Sequence, residues 1–272
     1  MTLQEKLEEM REESLSRRSR QEKTENLLDS DVCHKCGGYG YILSEDGEGR
    51  FHGITCECLR KELDERRLRF ANLPPAFRDM KLKTFNAAIY RQPDSRDKIN
   101  VACRIIKRYL DNFDEMEKSG MGLYLYSREK GSGKTRMAAS IVNELLTRGK
   151  LVKFATSTAV LKEIKDSWNG EGEYTESRLL DQLVVTDIFV IDDFGTEKVA
   201  DWINDKFYHI VNERYIRKKV TIFTSNNALD QLDYDSRITS RIRETTYQIA
   251  FPEESVRDRI AEQKAQNMVS EI

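Results

Sequence analysis

No stretch of the 272-residue sequence approaches the ~18 consecutive apolar residues that a bilayer-crossing helix requires. The opening segment, MTLQEKLEEMREESLSRRSRQ, lacks the apolar core of a secretory leader, so export is not expected. An excess of one charge is lacking too: 45 Lys plus Arg against 47 Asp plus Glu leave a net charge of −2. Nucleic-acid binding through overall basicity is therefore excluded, whereas binding through a local basic groove is not. The five cysteines are an odd number, which argues against a disulfide scaffold and for a metal site plus a spare thiol. Internal repeats and low-complexity tracts are absent from the sequence as well. What is present, 39% hydrophobic and 34% charged residues, describes a soluble globular protein, expected to be cytoplasmic, and 272 residues are enough for one large domain plus a smaller one.

Residues 1–30 are dominated by charge, with Leu3, Leu7 and Met10 spaced i, i+4, i+7. That spacing predicts a charged helix whose thin apolar stripe could dock on a partner but not build a core. From Asp31 the composition shifts to cysteine, glycine and aromatic residues, followed by a charged helical stretch, KELDERRLRFA. The stretch must stop at Leu73-Pro74-Pro75, because proline disfavours helix in the residue before it and lacks a donor. Three segments are therefore expected: an N-terminal helix over 1–30, a cysteine module over 31–72, and a main domain over 73–272. In the main domain five β-like runs (122–127, 151–157, 184–193, 220–226 and 245–251) alternate with helical segments. This pattern predicts an α/β domain with a mostly parallel sheet covered on both faces.

LYLYSREKGSGKTRMAAS reads as strand, loop and helix, and its Gly131, Gly133, Lys134 and Thr135 match the end of a Walker A loop. Glycines let backbone amides curl around phosphate oxygens, and the following helix points its positive end at the same anion. Lys134 is expected to reach the β- and γ-phosphates of ATP, and the Thr135 hydroxyl to hold Mg²⁺. Where the motif expects its first glycine the chain has Arg128, next to Ser127. An altered loop geometry is expected there, rather than a loss of binding.

VVTDIFVIDDFG is an apolar strand ending in two carboxylates, the form of a Walker B motif. Such a strand would bring Asp192 to the carboxyl edge of the sheet, where it could accept a Mg²⁺-bound water, and Asp193 could polarise the attacking water. The next run, VTIFTSN, delivers Asn226 to the same edge. Arg237, Arg241 and Arg243 follow, then Arg257; Arg237 and Arg241 at i, i+4 share one helix face. Arginines near a nucleotide can stabilise charge on the transferring phosphoryl group, in cis or from a neighbouring subunit.

Cys33 and Cys36 form CxxC, and Cys56 and Cys58 form CxC, around a glycine-rich segment able to turn back on itself. Four thiolates so placed could close a tetrahedral zinc site, with His34 and His52 as spare donors. Spacing alone leaves an iron–sulfur cluster open, while a redox pair lacks the thioredoxin-like βαβ context. Cys103, in INVACRIIKRYL, is expected to be a thiol without chemistry.

In this order, the CxxC…CxC module, LPPAFRDMKLKTF, the phosphate loop, IDDFGTEKVADW, NERY, TIFTSN and SRITSRIRE resemble the DnaC/DnaI family of replicative helicase loaders, particularly its phage-like branch in Gram-positive bacteria. The resemblance implies an AAA+ ATPase with a five-stranded parallel sheet, hydrolysing ATP to ADP and phosphate in a self-assembled oligomer. It also implies a DnaB-type hexameric helicase as partner, placed on single-stranded DNA during replication initiation, with no membrane involved. By family motif, Gly131, Ser132, Gly133, Lys134, Thr135 and Arg136 belong to Walker A, Asp192 and Asp193 to Walker B, and Asn226 to sensor I. Arg241 matches the arginine finger, with Arg237 as the near alternative, and Arg257 matches sensor II. The zinc module matches the helicase-binding domain. Two other readings remain: a transposition regulator of the IstB type, whose ATPase core is closely related, and a nucleotide-binding protein without significant hydrolysis. For DNA contact the sequence offers Lys162 and Lys165 in TAVLKEIKDSW, without a strong basic-aromatic stretch.

Overall fold

The computed structural model describes residues 33–45, 47, 51–169 and 175–270. The helix expected over 1–30 lies outside the described residues. Two compact units meet in sequence at Arg66, inside helix α1 (Glu57–Ala71). That helix ends just ahead of the prolines: Asn72 turns into the left-handed region at φ 53° and Pro74 is extended.

In the first unit, strands β1 (Tyr41–Glu45) and β2 (Phe51–Thr55) pair antiparallel, with Tyr41 opposite Thr55. A hairpin with one buried face would hide alternate side chains. Here Tyr41, Ile42, Leu43, Phe51 and Ile54 are all exposed. Among the described residues of this unit only Cys36, Gly40 and Cys56 are buried. The sulfur atoms, not apolar packing, form its centre.

The second unit is built on five strands: β3 (Gly122–Tyr126), β4 (Val152–Thr156), β5 (Ile188–Asp192), β6 (Val220–Ser225) and β7 (Thr246–Ala250). They lie in the order β4-β5-β6-β3-β7, every pair parallel. Helices α2 (Pro93–Asp111), α3 (Phe113–Ser119), α4 (Lys134–Thr147), α5 (Ser157–Trp168), α6 (Glu176–Val185), α7 (Asp201–Ile216), α8 (Ser236–Thr245) and α9 (Arg257–Ser270) complete it. Strand side chains divide between two cores. Leu123, Leu125, Ile188, Val190 and Ile222 join residues of α2 and α4, whereas Tyr124, Phe189, Ile191 and Phe223 join α5 to α8. Because both faces are covered, the strands read as continuous apolar runs.

One apolar run is shorter as a strand than its sequence suggests. Val184 and Val185 of the run 184–193 close α6, and β5 starts only at Ile188. Buried Arg214 marks this junction. Its guanidinium donates to the carbonyls of Leu183 (2.7 Å), Thr186 (2.7 Å) and Val220 (2.6 Å), and its Nε to the Thr221 hydroxyl (2.9 Å). Burial works against the charge of Arg214, and these carbonyl dipoles offset that cost. No helix of the described residues is long and apolar enough to cross a membrane.

Candidate functional site

Strand β3 ends at Tyr126 and α4 begins at Lys134, so the loop expected to hold phosphate occupies the carboxyl edge of the sheet beside the ends of β5 and β6. Gly133 precedes the helix with φ 95°, and Gly131 stands at φ 85°. Both values lie in the left-handed region that side chains resist. A Cβ on Gly133 would also meet the Tyr90 hydroxyl at 2.8 Å, and one on Gly131 the Arg257 Cγ at 2.9 Å. Both glycines are therefore required by conformation and by space. The first-turn amides of α4, those of Lys134, Thr135 and Arg136, have no intrahelical carbonyl to bond and suit an anion.

Lys134 is only 4% exposed, and its Nζ donates to Ser127 O (3.2 Å), Glu129 O (3.1 Å) and the Ser132 hydroxyl (3.2 Å). Burial lowers its pKa, while Asp193, Glu253, Asp192 and Glu129 pull the other way. Next to it, the Thr135 hydroxyl donates to Asp192 Oδ1 at 3.0 Å. Asp192 is the last residue of β5 and is 3% exposed. Burial pushes its carboxyl up to about 6, against the hydrogen bond from Thr224. Lysine, threonine and aspartate thus converge on one spot, which is what a metal-bound triphosphate requires.

The sequence reading passed over a fourth participant. Thr224, on β6, donates to Asp192 Oδ1 at 2.6 Å and accepts the Asp193 amide at 2.9 Å. It therefore fixes both aspartates, including Asp193 with its positive φ of 54°. Its only signal in the sequence, a hydroxyl within the buried run VTIFTS, is one that Thr221 and Ser225 share. Asn226 follows the end of β6 and is half-buried.

Comparison with known proteins identifies the kind of domain that carries these residues. Residues 120–243 match the family model described as IstB-like ATP binding protein. The replicative helicase loader DnaC of Escherichia coli K12 is 28% identical over 200 residues, 69% of this chain and 80% of that protein. The loader DnaI of Bacillus subtilis 168 is 28% identical over 156 residues, 57% of this chain and 49% of that protein. A crystal structure of DnaI, 26% identical, superposes with a TM-score of 0.56 over 71% of this chain and 100% of that one. The second unit carries an AAA+ domain of the IstB/DnaC type. The chain is homologous to the DnaC and DnaI helicase loaders.

In this AAA+ domain the remaining sequence-marked residues fall into two places. Arg257 opens α9 and lies against Gly131. The Arg136 side chain turns to the segment before α2, donating to Thr84 O (2.8 Å) and lying 5.6 Å from the Phe85 ring. Its backbone amide, rather than its guanidinium, faces the loop side of the helix start. Arg237 and Arg241 share a face of α8, as their spacing predicts: both lie over the Tyr208 ring, at 4.5 and 5.0 Å. Arg237 pairs with Asp235 at 2.8 Å, and Arg241 donates to the Tyr208 hydroxyl at 3.3 Å. Their partners belong to α7, α8 and the cap of α8, not to the phosphate loop. Lys165 lies 5.1 Å from the Trp202 ring, beside Trp168.

The segment 73–92 packs on α4 and reaches the loop through Tyr90, which its sequence did not reveal. Asn143 of α4 donates to Phe77 O and Met80 O, both at 2.8 Å, and the Tyr90 hydroxyl donates to Ser132 O at 2.7 Å.

In the first unit, Cys33, Cys36, Cys56 and Cys58 bring their sulfur atoms within 4.8 Å of one another. Cys33 and Cys56 are 3.8 Å apart and Cys36 and Cys58 3.4 Å. A tetrahedral zinc with Zn–S bonds of about 2.3 Å places its sulfurs about 3.8 Å apart, so the four thiols fit such an ion. Burial pushes Cys36 up, but donation from the Gly40 amide and from Cys58 brings it down to about 7, and Cys58 is held up at about 12. His34 and His52 are exposed and lie outside the group. Cys103 sits half-buried on α2, where burial raises its pKa.

Proposed function

We propose that this chain is an ATP-dependent loader that places a DnaB-type hexameric replicative helicase on single-stranded DNA, as part of primosome assembly. One conjunction carries the reading: an AAA+ domain homologous to DnaC and DnaI, preceded in the chain by a four-thiol module. The four thiols hold Zn²⁺ and give the helicase-contacting module its shape. In the AAA+ domain Lys134 grips the β- and γ-phosphates of ATP, and the loop amides from Gly131 to Arg136 line the oxygens. Thr135 and Asp192 hold Mg²⁺, whose charge neutralises the phosphates. Asp193 polarises the attacking water, Asn226 orients it, and Arg257 senses the nucleotide. Arg241, with Arg237 as the alternative, reaches a neighbouring subunit's phosphates in the oligomer, consistent with the partners both arginines have away from their own loop.

The deciding experiment mixes the purified chain with the replicative helicase of its own cell or phage, with and without ATP. A stoichiometric complex on size-exclusion chromatography is expected. Failure to form one under either condition overturns the loader reading. The IstB-like match supports a second reading, a regulator of transposition. Binding to a transposase encoded beside it, and not to the helicase, would establish that one instead.

A further inference from the structure

The phosphate loop opens with Arg128 in place of the usual glycine, and Arg128 is not among the residues with positive φ. Backbone freedom is therefore not what shapes this turn. It is held from outside, by a residue some 125 positions later in the chain. The Glu253 carboxylate accepts the Arg128 amide on Oε1 at 3.2 Å and the Glu129 amide on Oε2 at 3.0 Å. The same segment splints the rest of the loop. The Phe251 amide bonds Tyr126 O at 2.7 Å, the Ser127 hydroxyl bonds Pro252 O at 2.8 Å, and the Val256 amide bonds Gly131 O at 3.1 Å. Glu254 in turn accepts the amides of Arg91 (2.6 Å) and Gln92 (3.2 Å), tying the splint to the segment before α2.

We propose that Glu253 is a positioning residue of the nucleotide site, doing with its carboxylate what the absent glycine does with backbone freedom. It fixes the opening turn so that the amides from Gly131 to Arg136 stay aligned for phosphate oxygens. The assignment rests on the nucleotide-site reading above. Two observations support a role beyond that of a surface carboxylate. One carboxylate takes two successive amides, one on each oxygen, and bonds to a charged acceptor are the stronger kind. Glu253 also lies near enough to Lys134 to act on its charge. A negative group so close to a polyphosphate site is electrostatically unfavourable, and the ordered turn supplies the compensating gain.

The test compares the full chain with Glu253→Ala and Glu253→Gln by hydrogen exchange without nucleotide and by titration with a fluorescent ATP analogue. In Glu253→Ala, exchange at the Arg128 amide should accelerate about 10-fold, as expected for a locally opened turn, and less at the Glu129 amide, which keeps the Ser127 hydroxyl at 3.1 Å. The nucleotide Kd should rise about 3–10-fold, the scale of one or two partly exposed hydrogen bonds. The hydrolysis rate at saturating ATP should stay within about twofold, because the clamp touches no reacting atom. Glu253→Gln keeps one acceptor oxygen and should fall between; it carries the test should the alanine variant not fold. Unchanged exchange at 128–129, or unchanged or tighter nucleotide affinity, overturns the proposal. Absence of nucleotide binding by the unaltered chain would overturn the nucleotide-site reading instead, and the exchange data would still judge the clamp by themselves.

Discussion

Thr224 and Asp192 hold each other across adjacent strands: a fully buried hydroxyl donates to a carboxylate that is itself 3% exposed, at 2.6 Å. The same hydroxyl accepts the amide of Asp193, so one side chain sets the position of two acids. Thr224→Val keeps the shape but takes from Asp192 Oδ1 one of its two hydroxyl donors and from the Asp193 amide its acceptor. A cost of about 1–3 kcal/mol is expected, read as a lower urea midpoint. ATP turnover should fall by about 10-fold or more with a smaller change in nucleotide affinity, since Asp192 and Asp193 lose their alignment. Wild-type turnover in the valine variant would remove Thr224 from the machinery.

The lysine and the arginines are separable by what each touches. Lys134→Ala should abolish both tight nucleotide binding and ATP turnover measured with single-stranded DNA present. Arg241→Ala should spare binding yet cut hydrolysis by about 10³-fold, the scale of an arginine supplied in trans. Mixing Arg241→Ala with Lys134→Ala subunits should restore part of the turnover, because each supplies what the other lacks. No recovery in the mixture, with binding lost in Arg241→Ala, would place Arg241 in its own subunit's site.

Metal removal should act on one unit alone. Elemental analysis of the purified chain is expected to find one zinc per chain, and Cys36→Ser to lose it. Because Cys36, Gly40 and Cys56 are the only buried residues among those described in the first unit, it should then unfold, as small metal-centred modules do. Nucleotide binding by the AAA+ domain should persist and helicase capture should be lost. Iron with visible absorbance in place of zinc would reassign the cluster.

Arg214 offers a purely structural test. Arg214→Met removes the donors to Leu183, Thr186 and Val220 and strands buried carbonyls at the end of α6. A loss of about 3–5 kcal/mol is expected, as for breaking a buried charged network. It would show as a lower thermal midpoint, with the first unit's metal content unchanged. A loss under about 1 kcal/mol would mean that the carbonyls find water instead.

Local chemistry made much of this molecule legible. Gly131, Gly133, Lys134 and Thr135 announce a tight turn between a strand and a helix, because the conformational demand falls within one short stretch. Cys33, Cys36, Cys56 and Cys58 are equally readable, since glycine and cysteine spacing together imply a closed knuckle. The end of α1 followed from its prolines. The start of β5 did not follow, because Val184 and Val185 look the same to a pattern whether they end a buried helix or begin a buried strand. Thr224 and Glu253 were missed for a different reason. Each acts on a residue far away in the chain, Thr224 on Asp192 through strand pairing and Glu253 on Arg128 through the turn after β7. Such pairings exist only once the sheet order is known. Arg128 shows the same limit from the other side: the missing glycine was visible, but not the carboxylate that stands in for it.

The turn that follows β7 has a practical corollary for anyone trimming this polypeptide. A chain cut after Ala250 would retain all five strands, yet it would lose buried Phe251 and Val256 from one apolar core and, with them, the segment bonded to the loop at 126–131. One short segment serves both the core and the loop, so the folding piece itself must extend past Val256. Deletions that reach into 251–256 should therefore lower thermal stability and nucleotide affinity together.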